Sequence, residues 1–90
     1  MPVSRDIEII NKLGMHARAA AKFVKLASAF DSLIEIERQG RRVNGKSIMG
    51  VMMLAASKGS TVTIYADGKD EQDSIDQLEQ LIKNRFDEDE

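Results

Sequence analysis

Isoleucine and valine recur at every second position in three short, well-separated runs of this chain. Val3, Ile7 and Ile9 fall on alternate positions of residues 3–10. Ile34 and Ile36 alternate with Glu35 and Glu37, and Val62, Ile64 and Ala66 alternate with Thr61, Thr63 and Tyr65. Successive side chains of a strand point to opposite faces, so each run predicts a strand with one buried and one wet face. A sheet of such strands needs a second layer over its apolar side. The intervening segments supply it. From Ala17 to Phe30 the chain is alanine-rich, without Gly or Pro, and Phe23, Val24, Ala27 and Phe30 fall near helical spacing. Asp31-Ser32 ends that stretch.

Gln39-Gly40 reads as a turn between the second run and a short return strand over 41–44. Gly45-Lys46-Ser47 opens a short, mostly apolar helix from Ile48 to Leu54, with Ser47 as its N-cap. After the third run, Gly68-Lys69-Asp70 leads into a last helix. Asp70 is the expected N-cap, Glu71 and Asp73 suit the positive end of the dipole, and Ile75, Leu78 and Ile82 form the core stripe. The order is strand, helix, strand, strand, helix, strand, helix. It predicts an α+β domain of two layers, with helices on one sheet face. The 90 residues make one domain, 1–90, and the acidic end, residues 87–90, is expected to fray.

Composition narrows the function. The chain has no cysteine and a single histidine, which excludes disulfides, thiolate-held metals and multi-histidine metal sites. No metal or cofactor is expected. No apolar run approaches the ~20 residues of a membrane span, and Met1 to Asp6 lack a secretory pattern, so a cytoplasmic protein is expected. The net charge of −2 argues against a dedicated nucleic-acid binder. Charge is nevertheless uneven: no acid stands between Glu8 and Asp31, or between Glu37 and Asp67, while ten acids follow from Asp67 onward. The first half offers a basic face to phosphate, an acidic partner or RNA. The RNA reading would use Arg38, Arg41 and Arg42, but Tyr65 and three phenylalanines offer little for stacking.

The chemistry concentrates in Gly14-Met15-His16-Ala17-Arg18-Ala19-Ala20. The only histidine stands where a glycine turn feeds a helix. Free N–H groups at a helix start, here those of Ala17, Arg18 and Ala19, make an anion cradle. Arg18 adds a guanidinium to the same anion. A helix N-terminus and a neighbouring arginine both disfavour imidazolium, and a neutral imidazole nitrogen is a nucleophile. A neutral nucleophile beside an anion cradle suits covalent phosphoryl transfer. A histidine in such a place can also be a simple cap or surface residue. No Ser–His–Asp set, carboxylate pair or Walker-type loop offers an alternative active site.

Three stretches together carry a family resemblance. Asn11-Lys12-Leu13-Gly14-Met15-His16-Ala17-Arg18, Lys46-Ser47-Ile48-Met49-Gly50-Val51-Met52 and Gly68-Lys69-Asp70-Glu71-Gln72 are similar to the motifs of the histidine-containing phosphocarrier (HPr) family of bacterial phosphotransferase systems. The resemblance implies an open-faced β-sandwich: a four-stranded antiparallel sheet in order 1-4-2-3 with three helices on one face. It implies a monomeric carrier, not an enzyme. His16 would be phosphorylated on Nδ1 by a phosphoenolpyruvate-dependent enzyme I-type protein and would pass the group to an enzyme IIA-type partner. Arg18 matches the arginine beside the phosphoryl group. Ser47 matches a serine that a kinase/phosphorylase modifies in some members. The resemblance implies that the helix of Ile48, Met49 and Met52 docks the partners; separately, Lys22 and Lys25, one and two turns after the helix start, are placed to steer an acidic partner. Met52 to Gly59 and Phe86-Asp87-Glu88-Asp89 look closest to the nitrogen-related, regulatory branch (NPr). The alternatives are a sugar-uptake carrier and a binding domain that acts through Ser47 and the docking helix without carrying phosphate. One departure stands out: the family usually has proline where this chain has Ala19, which keeps an N–H that proline lacks.

Overall fold

The computed structural model describes residues 2–90. Its strands are β1 (Val3–Glu8), β2 (Leu33–Arg38), β3 (Arg41–Asn44) and β4 (Thr61–Asp67). All pair antiparallel in the order β1-β4-β2-β3. The helices are α1 (Ala17–Ala27), α2 (Ile48–Met53) and α3 (Glu71–Lys83), followed by a 3-10 turn at Arg85–Asp87. The α+β architecture and strand order are those the resemblance implies.

The period-two runs bury the residues they should. Ile7, Ile9, Ile34, Ile36, Val62, Ile64 and Ala66 all lie in the core. Register aligns them, with Ile7 opposite Val62 and Ile36 opposite Ile64. Ile75, Leu78 and Ile82 of α3 and Phe23 and Ala27 of α1 cover that face. Arg5 occupies the inward parity of β1 at the sheet edge. Its guanidinium escapes burial by reaching Asp76 at 2.7 Å and Glu79 at 2.8 Å on α3.

The β2–β3 turn uses left-handed backbone at both Gln39 (φ 50°) and Gly40 (φ 81°). Two successive positive φ values match the right-handed twist of the flanking strands, which is why a two-residue connection closes here.

Four boundaries differ from the sequence expectation, the least of them in β4, which runs one residue past Ala66 to Asp67. The helix expected to reach Phe30 stops at Ala27, and Ser28 to Phe30 finish it with tight turns: Ala29 N–H bonds to Leu26 C=O and Phe30 N–H to Ala27 C=O. The first strand ends at Glu8 rather than Ile10, although Ile9 still exchanges bonds with Ser60 and Gly59. The short helix stops at Met53, one residue early.

Asp70 sits at the N-cap position of α3 but its side chain does not cap that helix. It accepts instead from the N–H of Asp31 at 2.9 Å, the N–H of Ser32 at 3.0 Å and the Ser32 hydroxyl. Those amides precede β2 and have no ladder partner, so satisfying them outweighs satisfying α3. The Ser32 hydroxyl first, then the Asp31 amide, hold the Asp70 carboxyl below its ordinary range. A carboxylate with a depressed folded pKa stabilises above its unfolded value of about 3.9, and that stabilisation fades as pH falls through the folded value. Asp70→Asn is therefore expected to melt below the wild type at pH 7, with the gap closing below about pH 3.9. Thermal melts across pH 2–7 measure this.

The acidic end, expected to fray, lies against the domain in the structure. Phe86 is fully buried, and Glu88 and Glu90 return to the loop before α1. Phe86 anchors the segment by burying its ring in the core.

Candidate functional site

The loop between β1 and α1 is clamped at its middle. Gly14 takes φ +64°, a conformation that L side chains rarely adopt. It also packs directly on backbone: an added Cβ would stand 2.6 Å from the Ala56 carbonyl and 2.8 Å from Ser57 Cα. The next residue, Met15, donates its N–H to Ala56 C=O at 2.8 Å and buries its side chain. His16 follows immediately. Its place is set from behind by a backbone contact only glycine permits and by a buried neighbour.

His16 is the N-cap of α1, with extended backbone and no side-chain cap bond. Its carbonyl accepts the first helical bond, from Ala20 N–H at 2.8 Å. The N–H groups of Ala17, Arg18 and Ala19 consequently lie in the first turn without helical acceptors. Ala19 is fully buried by its methyl group. A proline at that point would lose one of the three amides without breaking any helical bond, so alanine widens the cradle.

Arg18 is exposed and lines a cleft of about 410 Å³ with Lys12, Leu13, Glu88, Asp89 and Glu90. The imidazole itself is part-buried, and its Nε2 lies 2.5 Å from Glu88 Oε2. The other carboxylate oxygen of Glu88 accepts from Asn11 Nδ2 at 3.1 Å. Burial pushes the Glu88 carboxyl up, but bonds from His16 and Asn11 and the charge of Arg18 together bring it below its ordinary value. Glu88 is the site residue that the sequence reading missed. Asn11 supports it: fully buried, it also donates to Gly14 C=O at 2.8 Å.

Other predicted residues fall into two groups. Ser47 caps α2 as expected, its Oγ accepting from Gly50 N–H at 3.2 Å. Ser47→Ala is expected to lower stability by about 1 kcal/mol, read in a urea titration, because α2 loses its only side-chain cap. On α2, Ile48, Met49, Met52 and Met53 are 41%, 68%, 40% and 53% exposed, so all four face outward and only Val51 is buried. Lys25 is exposed, whereas Lys22 donates to Phe86 C=O at 2.7 Å and is occupied in holding the C-terminal turn.

The arginines of the RNA reading are engaged locally. Arg38 donates to Leu54 C=O at 3.1 Å, and Arg42 stacks 3.5 Å over Tyr65 while reaching Glu35. The ring offered for base stacking is thereby covered. No cluster of metal-ligating side chains occurs among the described residues. Nor is any helix among them long and apolar enough to cross a membrane.

Residues 3–84 match the family described as the PTS HPr component phosphorylation site. The chain belongs to the HPr family. The phosphocarrier protein HPr of Cupriavidus necator is 60% identical over 84 residues, covering 93% of this chain and 94% of that one. HPr of Pseudomonas putida is 52% identical over 86 residues, covering 94% and 96%. The crystal structure of an HPr from Thermoanaerobacter tengcongensis superposes with a TM-score of 0.94 at 46% identity, covering 98% and 99%. Relatives of this HPr-family chain are thus alike in sequence, length and fold. The family consists of phosphocarriers of the phosphotransferase system, proteins that hold a phosphoryl group rather than turn over a substrate alone.

Proposed function

We propose that this chain is a phosphoryl relay in which His16 is the acceptor and donor. An enzyme I-type protein charged by phosphoenolpyruvate supplies the group, and an enzyme IIA-type protein receives it. The observation that carries this reading is the position of His16 as N-cap, directly ahead of three backbone amides without helical acceptors. The imidazole lone pair at Nδ1 attacks phosphorus, and the bond from phosphorus to the donor breaks with its electron pair. The amides of Ala17, Arg18 and Ala19 and the Arg18 guanidinium hold the phosphoryl oxygens. The dipole contributes roughly 0.3–1 kcal/mol at an exposed helix end, enough to orient the group without trapping it. Onward transfer is the same displacement in reverse.

The partners dock beside the site. Ile48, Met49 and Met52 give a flexible apolar patch, and Lys25 provides a nearby cation for an acidic partner. Ser47 is the regulatory candidate: a phosphate there would displace the cap and set negative charge at the foot of that patch.

The motifs Met52 to Gly59 and Phe86 to Asp89 favour the nitrogen-related branch. The test is phosphorylation of the purified protein by phosphoenolpyruvate with enzyme I from each branch. Faster labelling by the nitrogen-branch enzyme is expected. Faster labelling by the sugar-branch enzyme would assign the chain to sugar uptake, and labelling by neither would remove the carrier role.

A further inference from the structure

The C-terminal turn is built at a conformational cost. Arg85, Phe86 and Asp87 all adopt left-handed backbone, with φ of 57°, 53° and 63°. Three consecutive non-glycine residues there are held at roughly 1–2 kcal/mol each. Such strain persists only where the surroundings over-determine it. Here the buried Phe86 ring, the Lys22 bond to its carbonyl and the bond from Lys12 N–H to Glu90 C=O at 2.6 Å do so. The effect is to lay Glu88 against the ring of His16, 72 residues away in sequence. The family match ends at residue 84, before this turn begins.

We propose that Glu88 is a positioning residue for His16, accepting the Nε2 proton so that Nδ1 is left as the nucleophile. This rests on the reading of His16 as the phosphoryl carrier. A carboxylate only accepts, so the nitrogen it faces carries the proton, and in a neutral ring the other nitrogen then holds the lone pair. Asn11 fixes the second carboxylate oxygen and ties it to Gly14 C=O, so Glu88 and the His16 loop move together.

The contact also acts after transfer. When Nδ1 bonds to phosphorus, the ring becomes an N-phosphoimidazolium that keeps its Nε2 proton. The Glu88 carboxylate offsets that charge and holds the proton in place. When an acceptor attacks phosphorus, the Nδ1–P pair returns to the ring and the original tautomer is restored. No proton enters or leaves. Keeping Nε2 protonated keeps imidazole a good leaving group, so the phosphoryl group stays transferable at neutral pH. Arg18 and Lys12 in the same cleft oppose retention of that proton, while Asp89 and Glu90 favour it. Glu88 alone among the acids has an oxygen on the ring.

Two readouts test this, with Glu88→Ala and Glu88→Gln beside the wild type and thermal melts confirming that all three fold. Long-range 15N–1H NMR of the unphosphorylated ring reports the tautomer. The pH dependence of phosphohistidine hydrolysis reports the proton on Nε2. The expected wild-type ring is fully Nε2-protonated, and Glu88→Ala admits the Nδ1–H form. In Glu88→Ala and Glu88→Gln the midpoint of the hydrolysis profile moves down by about one pH unit, the size of shift that loss of one close opposite charge produces. Gln has only one oxygen for the two donors, Asn11 Nδ2–H and His16 Nε2–H, so it too admits the Nδ1–H form and loses the midpoint, a paired change that a merely structural tail would not give. A wild type that is phosphorylated normally, with tautomer and midpoint unchanged in both variants, overturns the proposal alone. A wild type that takes up no phosphoryl group overturns the carrier reading and this proposal with it.

Discussion

His16→Ala is expected to take up no phosphoryl group from phosphoenolpyruvate and enzyme I, while remaining folded. The imidazole is the only nitrogen nucleophile at the start of α1, and the histidine is the only one in the chain. Nothing nearby substitutes: the Arg18 guanidinium offers donors and no nucleophilic lone pair, and Ser47 is committed to its cap. The stability cost is small by comparison. The side chain is about one-quarter exposed and makes one bond, to Glu88. Losing a bond to a charged group costs about 1.5–3 kcal/mol. Against a typical stability of about 5–15 kcal/mol this leaves a folded protein. Labelling with 32P and a thermal melt on the same sample separate the two effects. A histidine that only caps the helix would leave labelling intact.

Gly14→Ala is the substitution expected to damage both fold and transfer. The alanine must hold φ near +64°, at roughly 1–2 kcal/mol. Its Cβ must also displace the backbone of Ala56 and Ser57, and overpacking of this kind costs about 1–3 kcal/mol. The two act on one residue, so a loss of about 2–5 kcal/mol is expected in denaturant titration. The neighbouring Met15–Ala56 bond must lengthen with them, and His16 is the next residue. A misplacement of about 1 Å at a reacting centre slows transfer by about 100-fold. Phosphorylation rates measured well below the melting temperature, where the variant is folded, isolate this second effect. A normal rate with a normal melt would show that the Ala56–Ser57 backbone yields freely.

Which features were legible in the sequence follows from how local their causes are. The alternating isoleucines predicted the sheet because burial on one face needs nothing but period two. Gly14, His16 and Arg18 stood out as a candidate site because a glycine turn, an N-cap and a helix start are consecutive in the chain. Ser47 was readable for the same reason. Asp70 was misread because its position is that of a cap, while its partners, the amides of Asp31 and Ser32, lie 39 and 38 residues away. Local pattern cannot rank a distant pair of orphan amides above a near one.

The packing of the C-terminal turn was less legible. Four acids in succession look like a solvated end, and Phe86, although it follows Ile82 at helical spacing, lies beyond the last turn of α3. Its burial depends on a gap that α1 and α3 create only once they pack. Glu88 was missed with it, since nothing near His16 in sequence is acidic. The exposed apolar patch on α2 was half legible: a six-residue helix with Ile48, Met49, Met52 and Met53 cannot bury them all, but only the structure shows that it buries none of the four.

The proposed relay places the phosphoryl group on Nδ1 of His16. The most direct measurement is 31P and 15N NMR of the protein after charging with phosphoenolpyruvate and enzyme I. The predicted result is one phosphoramidate, acid-labile and base-stable, with phosphorus coupled to Nδ1 of the single histidine. Phosphorus on Nε2, or an acid-stable phosphoester at Ser47 with His16 unmodified, would contradict it.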